Sequence, residues 1–194
     1  MLGMDAGRIG MEFPKRILIY GVTGSGKTTM ATWLSEKTGI PWTEIDNLMW
    51  EANWEFVPIE EQRERIRAIC SQDEWIMDAA YAKWLDIPLE RVQLVIGLDY
   101  SRWHSFWQLF KRSIARGIDK KPVCNGNVET IRALLSIDSI LLWHFKSFGN
   151  KRRRMRQWQV SPTTFDVILL KNPISPERWE LDLAYDNGET KFPG

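Results

Sequence analysis

Three observations predict an α/β fold, a three-layer sandwich around a five-stranded parallel sheet. Short apolar runs of strand type recur along the 194 residues. Stretches of helical period lie between them. Residues 21 to 28 then join the first strand to the first helix through a glycine-rich loop of the form G-x-x-x-x-G-K-[ST]. Strands alternating with helices fold as a parallel sheet covered on both faces.

The elements follow in order. Arg16 to Tyr20 is the first predicted strand, and Gly21-Val22-Thr23-Gly24-Ser25-Gly26-Lys27-Thr28 is the loop. Met30, Trp33 and Leu34 fall at helical spacing, and Gly39 and Pro41 stop that helix. Residues 41–46 read as a short second strand ending in Asp46, followed by a segment with Trp50 and Trp54. Pro58 opens a charged helix with Ile59, Ile66, Ile69 and Cys70 on one side. Residues 74–78 form a third strand ending in Asp78, and 92–98 a fourth leading to Asp99. In the next helix Trp103, Phe106, Trp107, Phe110 and Ile114 make the apolar stripe, with Ser105, Gln108, Arg112 and Arg116 opposite. A polar turn or lid segment spans 117–127, and a further amphipathic helix 128–148. The basic run 151–156 reads as a solvated helix end rather than a nucleic-acid patch. Residues 167–170 are the last strand, and Ser175-Pro176 caps a final helix. Residues 1–14 are expected to be a flexible tail, and 15–194 a single domain with its lid at about 105–160.

Composition narrows the function. A net charge of +1 gives no overall field for nucleic acid or membrane. Cys70 and Cys124 are too few and too far apart for a disulfide framework or zinc site, so a reduced cytoplasmic setting is expected. No apolar run reaches the roughly 18 residues of a spanning helix, and residues 1–14 lack a signal-peptide core. Most of the eleven tryptophans are expected in the core. His104 and His144 lack a metal-ligand spacing and read as structural. Oligomeric state, monomer or homodimer, is left open.

The loop carries the chemistry. Gly21, Gly24 and Gly26 let the backbone turn back and approach a polyphosphate. Amides of Ser25 and the helix start would point at the anion, aided by the helix dipole. Lys27 is placed for the β- and γ-phosphates, Thr28 for Mg²⁺, and Thr29 for the α-phosphate. Parallel sheets bind ligands at their strand C-termini, so the strand-terminal acids are candidates. Asp78 is expected to act on Mg²⁺, and Asp46 to contact an acceptor or serve as general base. Asp99 is a third, weaker candidate for the metal. Arg112 and Arg116, one turn apart, can face a polyphosphate and stabilise charge on the transferring group.

The loop, the Ile45-Asp46-Asn47-Leu48-Met49-Trp50 segment, Trp75-Ile76-Met77-Asp78 with Tyr81, and Leu98-Asp99 before a Trp- and Arg-containing helix occur in this order. That order resembles the adenylate-kinase-like phosphate-loop proteins often labelled topology modulation proteins. More broadly it is similar to nucleoside monophosphate and shikimate kinases, over roughly residues 15 to 185. The resemblance implies a phosphate-loop NTPase fold of the nucleoside monophosphate kinase type with a helical lid. It assigns Asp78 to metal-bound water, Asp46 to the acceptor side, Arg112 and Arg116 to the lid, and the adenine to residues 171–175. Ala79-Ala80 stands where those relatives tend to carry Gly-Asn, which bears on the acceptor pocket.

The leading expectation is an ATP- and Mg²⁺-dependent kinase acting on a small nucleotide or other small-molecule acceptor. The alternatives are a nucleotide-dependent regulator binding DNA or RNA through 151–156, and an ATP-binding pseudo-enzyme. A GTPase is disfavoured because Lys171-Asn172 lacks the Asp of an Asn-Lys-x-Asp motif.

Overall fold

The computed structural model describes residues 13–79, 81–119, 125–127 and 140–173. Five strands, β1 (Arg16–Gly21), β2 (Trp42–Thr43), β3 (Trp75–Ala79), β4 (Leu94–Leu98) and β5 (Asp166–Leu170), form one sheet in the order β2-β3-β1-β4-β5. All four pairings are parallel, with Tyr20 opposite Ala79 on one side and Gly97 on the other. Burial of β1, β3 and β4 explains why they read as near-continuous apolar runs rather than alternating ones.

Side chains alternate across the sheet and feed two cores. Ile17 and Ile19 pack with Met30, Ala31 and Leu34 of helix α1 (Lys27–Thr38). Leu18 and Tyr20 pack on the other face, with Ile66 and Cys70 of α3 (Ile59–Cys70) and Leu85 and Ile87 of the α4 region (helix Asp86–Leu89). Among the described residues between β4 and β5 lie the helices α5 (Arg102–Asp119) and α6 (Ile140–Val160). Gly39 ends α1 in a left-handed cap (φ 76°), as its sequence position implies.

Two expectations need correction, and a third, on the tryptophans, is met in part. The second strand is only Trp42–Thr43; Ile45 is fully buried, and the chain turns so that Asp46 opens a short helix, α2 (Asp46–Met49). The face of α5 is rotated: Phe106, Phe110 and Ile114 are half-buried and Gln108 and Arg112 exposed, but the inward line has shifted. Ser105, Leu109, Ser113 and Gly117 are its buried residues, while Trp103 and Trp107 are 63% and 52% exposed. The tryptophans divide: among the described residues Trp75 and Trp84 are fully buried, Trp33, Trp42, Trp50 and Trp158 are half-buried against the two cores, and Trp54, Trp103, Trp107 and Trp143 are exposed. The tail at 1–14 is described only at Phe13 and Pro14. The expected helices over 128–139 and after Ser175, Ala80, and residues 174 and 175 of the adenine loop lie outside the described residues.

Small side chains on α5 let it approach the loop after β1. A Cβ placed on Gly24 would run into the Ser105 carbonyl oxygen and lie 2.7 Å from Leu109 Cβ. The seam between α5 and α6 is pinned by a polar pair, Ser105 Oγ and His144 Nε2 at 2.8 Å, both fully buried. Burial, reinforced by the Lys151 and Arg102 charges, pulls the His144 pKa down from 6.5 to about 4. The folded chain therefore refuses a proton that the unfolded chain accepts between these values. Stability should fall as pH drops from 6.5 to about 4, by about 3 kcal/mol from this group. Below that range the group contributes no further loss. Urea unfolding at pH 7 and pH ~4.5 should show this slope, and a His144→Gln variant should lose most of it. An unchanged slope in the variant would assign the acid sensitivity elsewhere.

Candidate active site

The glycine-rich loop leaves the C-terminal end of β1, between β3 and β4, where the strand order reverses and ligand crevices form. Gly24 and Gly26 take left-handed φ values of 81° and 87°, which L side chains rarely adopt. Gly26 is also the residue before α1, whose N-terminus carries no side-chain cap. The first-turn N–H groups thus have no side-chain acceptor, the condition an anion can satisfy. Ser25 is buried, and its Oγ donates to Val22 O at 2.8 Å, which closes the turn. Lys27 Nζ folds back to the same carbonyl at 3.1 Å. Thr29 is exposed on the first turn of α1.

Asp78 reaches the loop from β3. Thr28 Oγ1 donates to Asp78 Oδ2 at 2.8 Å, and Ile45 N–H lies 3.4 Å from Oδ1. Burial pushes the Asp78 pKa up; Lys27, the Thr28 hydroxyl and the Ile45 amide oppose it, while Asp46 adds to it. Burial likewise pulls Lys27 below the ordinary lysine value, with Asp78 and Asp46 raising it and Arg112 lowering it further. Burial pushes both groups toward their neutral forms, although Lys27 is only half-buried by surface and Thr28, Asp46 and Arg112 beside it are exposed. A polyphosphate would favour the charged lysine.

Asp46 stands at the same cleft, within electrostatic reach of Lys27 and Asp78. Tyr81 donates its hydroxyl to Asp46 Oδ1 at 2.7 Å, fixing the carboxylate. Arg112, exposed on α5, is within electrostatic reach of Lys27; Arg116 lies four residues further along the helix. The structure therefore gathers Lys27, Thr28, Asp78, Asp46 and Arg112 around one crevice.

Asp99 has a different part. Its buried carboxylate accepts from Arg152 Nε at 2.6 Å and Arg156 Nε at 2.8 Å, one oxygen to each. Both arginines come from the basic run, which is therefore not a solvated helix end. It lies inside α6 and docks that helix on the sheet. Asp99 is an anchor rather than a metal candidate.

The residue missed from the sequence is Lys151. It shares the buried stripe of α6 with His144, Phe148 and Met155, and only 8% of its surface is exposed. Its electrostatic neighbours are Lys27, Asp46 and Arg154. Arg154 in turn lies beside the Tyr20 hydroxyl at the end of β1. The i, i+4, i+7, i+11 spacing of His144, Phe148, Lys151 and Met155 is the signal that could have placed Lys151 inward.

No family model matches the chain, and no curated protein matches its sequence. Solved structures do resemble it. Shikimate kinase from Bacteroides thetaiotaomicron superposes with a TM-score of 0.54 at 13% identity, over 90% of this chain and 99% of the other. Deoxyadenosine kinase from M. mycoides, solved with bound dATP, gives 0.52 at 15% identity, over 89% and 99%. A gluconokinase from Sinorhizobium meliloti 1021 gives 0.51 at 14% identity, over 91% and 99%. Five parallel strands in one sheet, with a glycine-rich loop after the first, give this chain the α/β fold that these kinases share.

Proposed function

We propose that this chain is an ATP-dependent phosphotransferase that moves the γ-phosphoryl group to a small-molecule acceptor. The observation that carries the reading is the Thr28–Asp78 hydrogen bond, which brings the loop hydroxyl and the third-strand acid together beside Lys27. The amides of the loop and of the α1 N-terminus bind the phosphates, contributed by Gly21, Gly24, Ser25, Gly26, Lys27, Thr28 and Thr29. Lys27 stabilises charge on the β- and γ-oxygens, and Arg112, with Arg116 as a further candidate, does so from the lid side. Asp46, oriented by Tyr81, accepts the proton of an acceptor hydroxyl or positions an acceptor phosphate.

The donor set at Thr28 and Asp78 is all oxygen, hard and acidic, and fits Mg²⁺ rather than a softer metal. Thr28 would ligate the ion and Asp78 would hold its bound water. When bound, Mg²⁺ neutralises charge on the β- and γ-phosphates. The motif order resembling topology modulation and adenylate-kinase-like proteins supports the same reading. The kinases that share the fold differ in their named substrates, so the fold leaves the acceptor open.

The test is transfer of labelled γ-phosphate to compounds of a metabolite extract, with the Lys27→Ala variant as control. Labelling equal in the two proteins, or absent in both, overturns the kinase reading. Asp46→Asn is expected to lower kcat about 10²-fold while leaving ATP affinity within about twofold, as loss of a positioned base does. Equal loss of ATP affinity would move Asp46 to the nucleotide side.

The reading as a DNA- or RNA-binding regulator loses its motive, because Lys151 is buried and Arg152 and Arg156 are engaged by Asp99. Among the described residues no helix is long and apolar enough to cross a membrane. We place the reaction in the cytoplasm on cysteine usage alone.

A further inference from the structure

The position of Lys151 can be built from the helix that carries it. Met155 packs on Gly97 of β4, since a Cβ there would meet Met155 Sδ at 3.4 Å. Arg152 and Arg156 hold the helix to Asp99, the residue immediately after β4. Lys151 lies one turn before Met155, toward the strand ends from which the phosphate loop and Asp46 also project. Its ammonium is in electrostatic reach of both Lys27 and Asp46. Among the described residues no hydrogen bond or ion pair to its Nζ is present. A side chain this buried holds a charge only with a partner.

The charges around Asp46 do not balance. Two carboxylates, Asp78 and Asp46, act on Lys27, and only Asp46, already engaged by Tyr81, acts on Lys151; the cations are Lys27, Lys151 and Arg112, with Arg154 three residues on along α6. Nucleotide phosphates account for Lys27 from the loop side. Nothing in the described site accounts for Lys151. Resting on the kinase reading above, we propose that Lys151, with Arg154 behind it, is an acceptor subsite for an anionic group, so that the acceptor is a carboxylate or phosphate ester rather than a neutral sugar or nucleoside. Lys151 is the specificity-determining residue of that subsite. In the absence of an anion, burial and the Lys27 charge draw its pKa down to about 7 against the opposing pull of Asp46. A cation in that condition gains most from a counter-ion brought by a ligand.

The experiment keeps the nucleotide site filled. The full chain is loaded with Mg²⁺ and a non-hydrolysable ATP analogue, and glycerol 3-phosphate, glycerate and glycerol are titrated by calorimetry. One or both charged probes should bind at least about tenfold more tightly than glycerol, and the tighter of the two names the anion. Lys151→Met should remove about tenfold or more of that preference, while Lys151→Arg keeps it within about threefold. Affinity for the ATP analogue should change by less than about twofold in either variant. Should Lys151→Met fail to fold, Arg154→Gln reads the same preference from a partly exposed position, and it should lower it. Charged probes binding no better than glycerol, or a preference indifferent to Lys151, overturns the proposal. Its failure is distinct from that of the kinase reading: labelling of neutral acceptors alone would end the anion subsite and leave the kinase. Anion binding with no γ-phosphate transfer would do the reverse.

Discussion

Lys27→Ala is expected to lower kcat/KM for phosphoryl transfer by about 10³-fold or more, roughly 4 kcal/mol of transition-state stabilisation. The argument is electrostatic. Lys27 rests against Val22 O at 3.1 Å, so its ammonium lies across the loop rather than in bulk water. Burial already pulls its pKa down, with Asp78 and Asp46 holding part of the charge in place. A charge already held in place costs little further reorganisation when negative charge develops on the γ-phosphoryl oxygens. Because that charge grows in the transition state, the rate should suffer more than ATP affinity. Steady-state kinetics with labelled ATP, set beside direct ATP binding, separates the two. A loss confined to affinity, or a rate within about tenfold of the parent, would reduce Lys27 to a ground-state phosphate contact.

The glycine-rich loop was legible as a turn because its signal is contiguous: eight residues lie between a strand and a helix that are themselves plain in the sequence. Asp78 was legible for a related reason. It ends an apolar run, and parallel strands deliver their last residues to the crevice. Asp46 was assigned to the right cleft on the wrong element, since a carboxylate at a strand end and one at the start of α2 look alike until Ile45 is seen to be buried. The α5 face was illegible because the inward side must be narrow where it meets Gly24. The approach to Gly24 is made by the Ser105 carbonyl and Leu109, and the buried line Ser105, Leu109, Ser113 and Gly117 leaves Trp103 and Trp107 outward, against the rule that large apolar side chains mark the core. The basic run misled for the opposite reason. Its charge suggested solvent, but successive helical residues point in different directions: Lys151 inward, Arg152 and Arg156 to Asp99, and Arg154 toward Tyr20. The partner acid lies more than fifty residues away in the chain, at Asp99. Pairing across that distance belongs to the fold and not to any local pattern.

The contact between α5 and the loop leads to the other large effect, the substitution Gly24→Ala. Gly24 has φ +81°, and its missing Cβ is the space that the Ser105 carbonyl and the Leu109 side chain occupy. An alanine there carries about 1–2 kcal/mol of left-handed strain. It also forces α5 away from the loop, which in a close-packed interior costs about 1–3 kcal/mol more. The sum, about 2–5 kcal/mol, is a large fraction of the stability of a domain this size. Gly26→Ala supplies the internal comparison. Gly26 has φ +87°, nearly the same backbone strain, but an added Cβ meets no described atom within 4 Å. Its cost should stay near the strain alone, about 1–2 kcal/mol. Urea unfolding of the two variants should therefore differ by the packing part, with Gly24→Ala the less stable. Displacing α5 would also break the 2.8 Å Ser105–His144 pair and carry Arg112 away from Lys27. Gly24→Ala should accordingly lose ATP affinity beyond what its stability loss explains, at temperatures where it is still folded. Equal stabilities for the two variants would mean that α5 does not press on the loop, and that Gly24 is held by its backbone conformation alone.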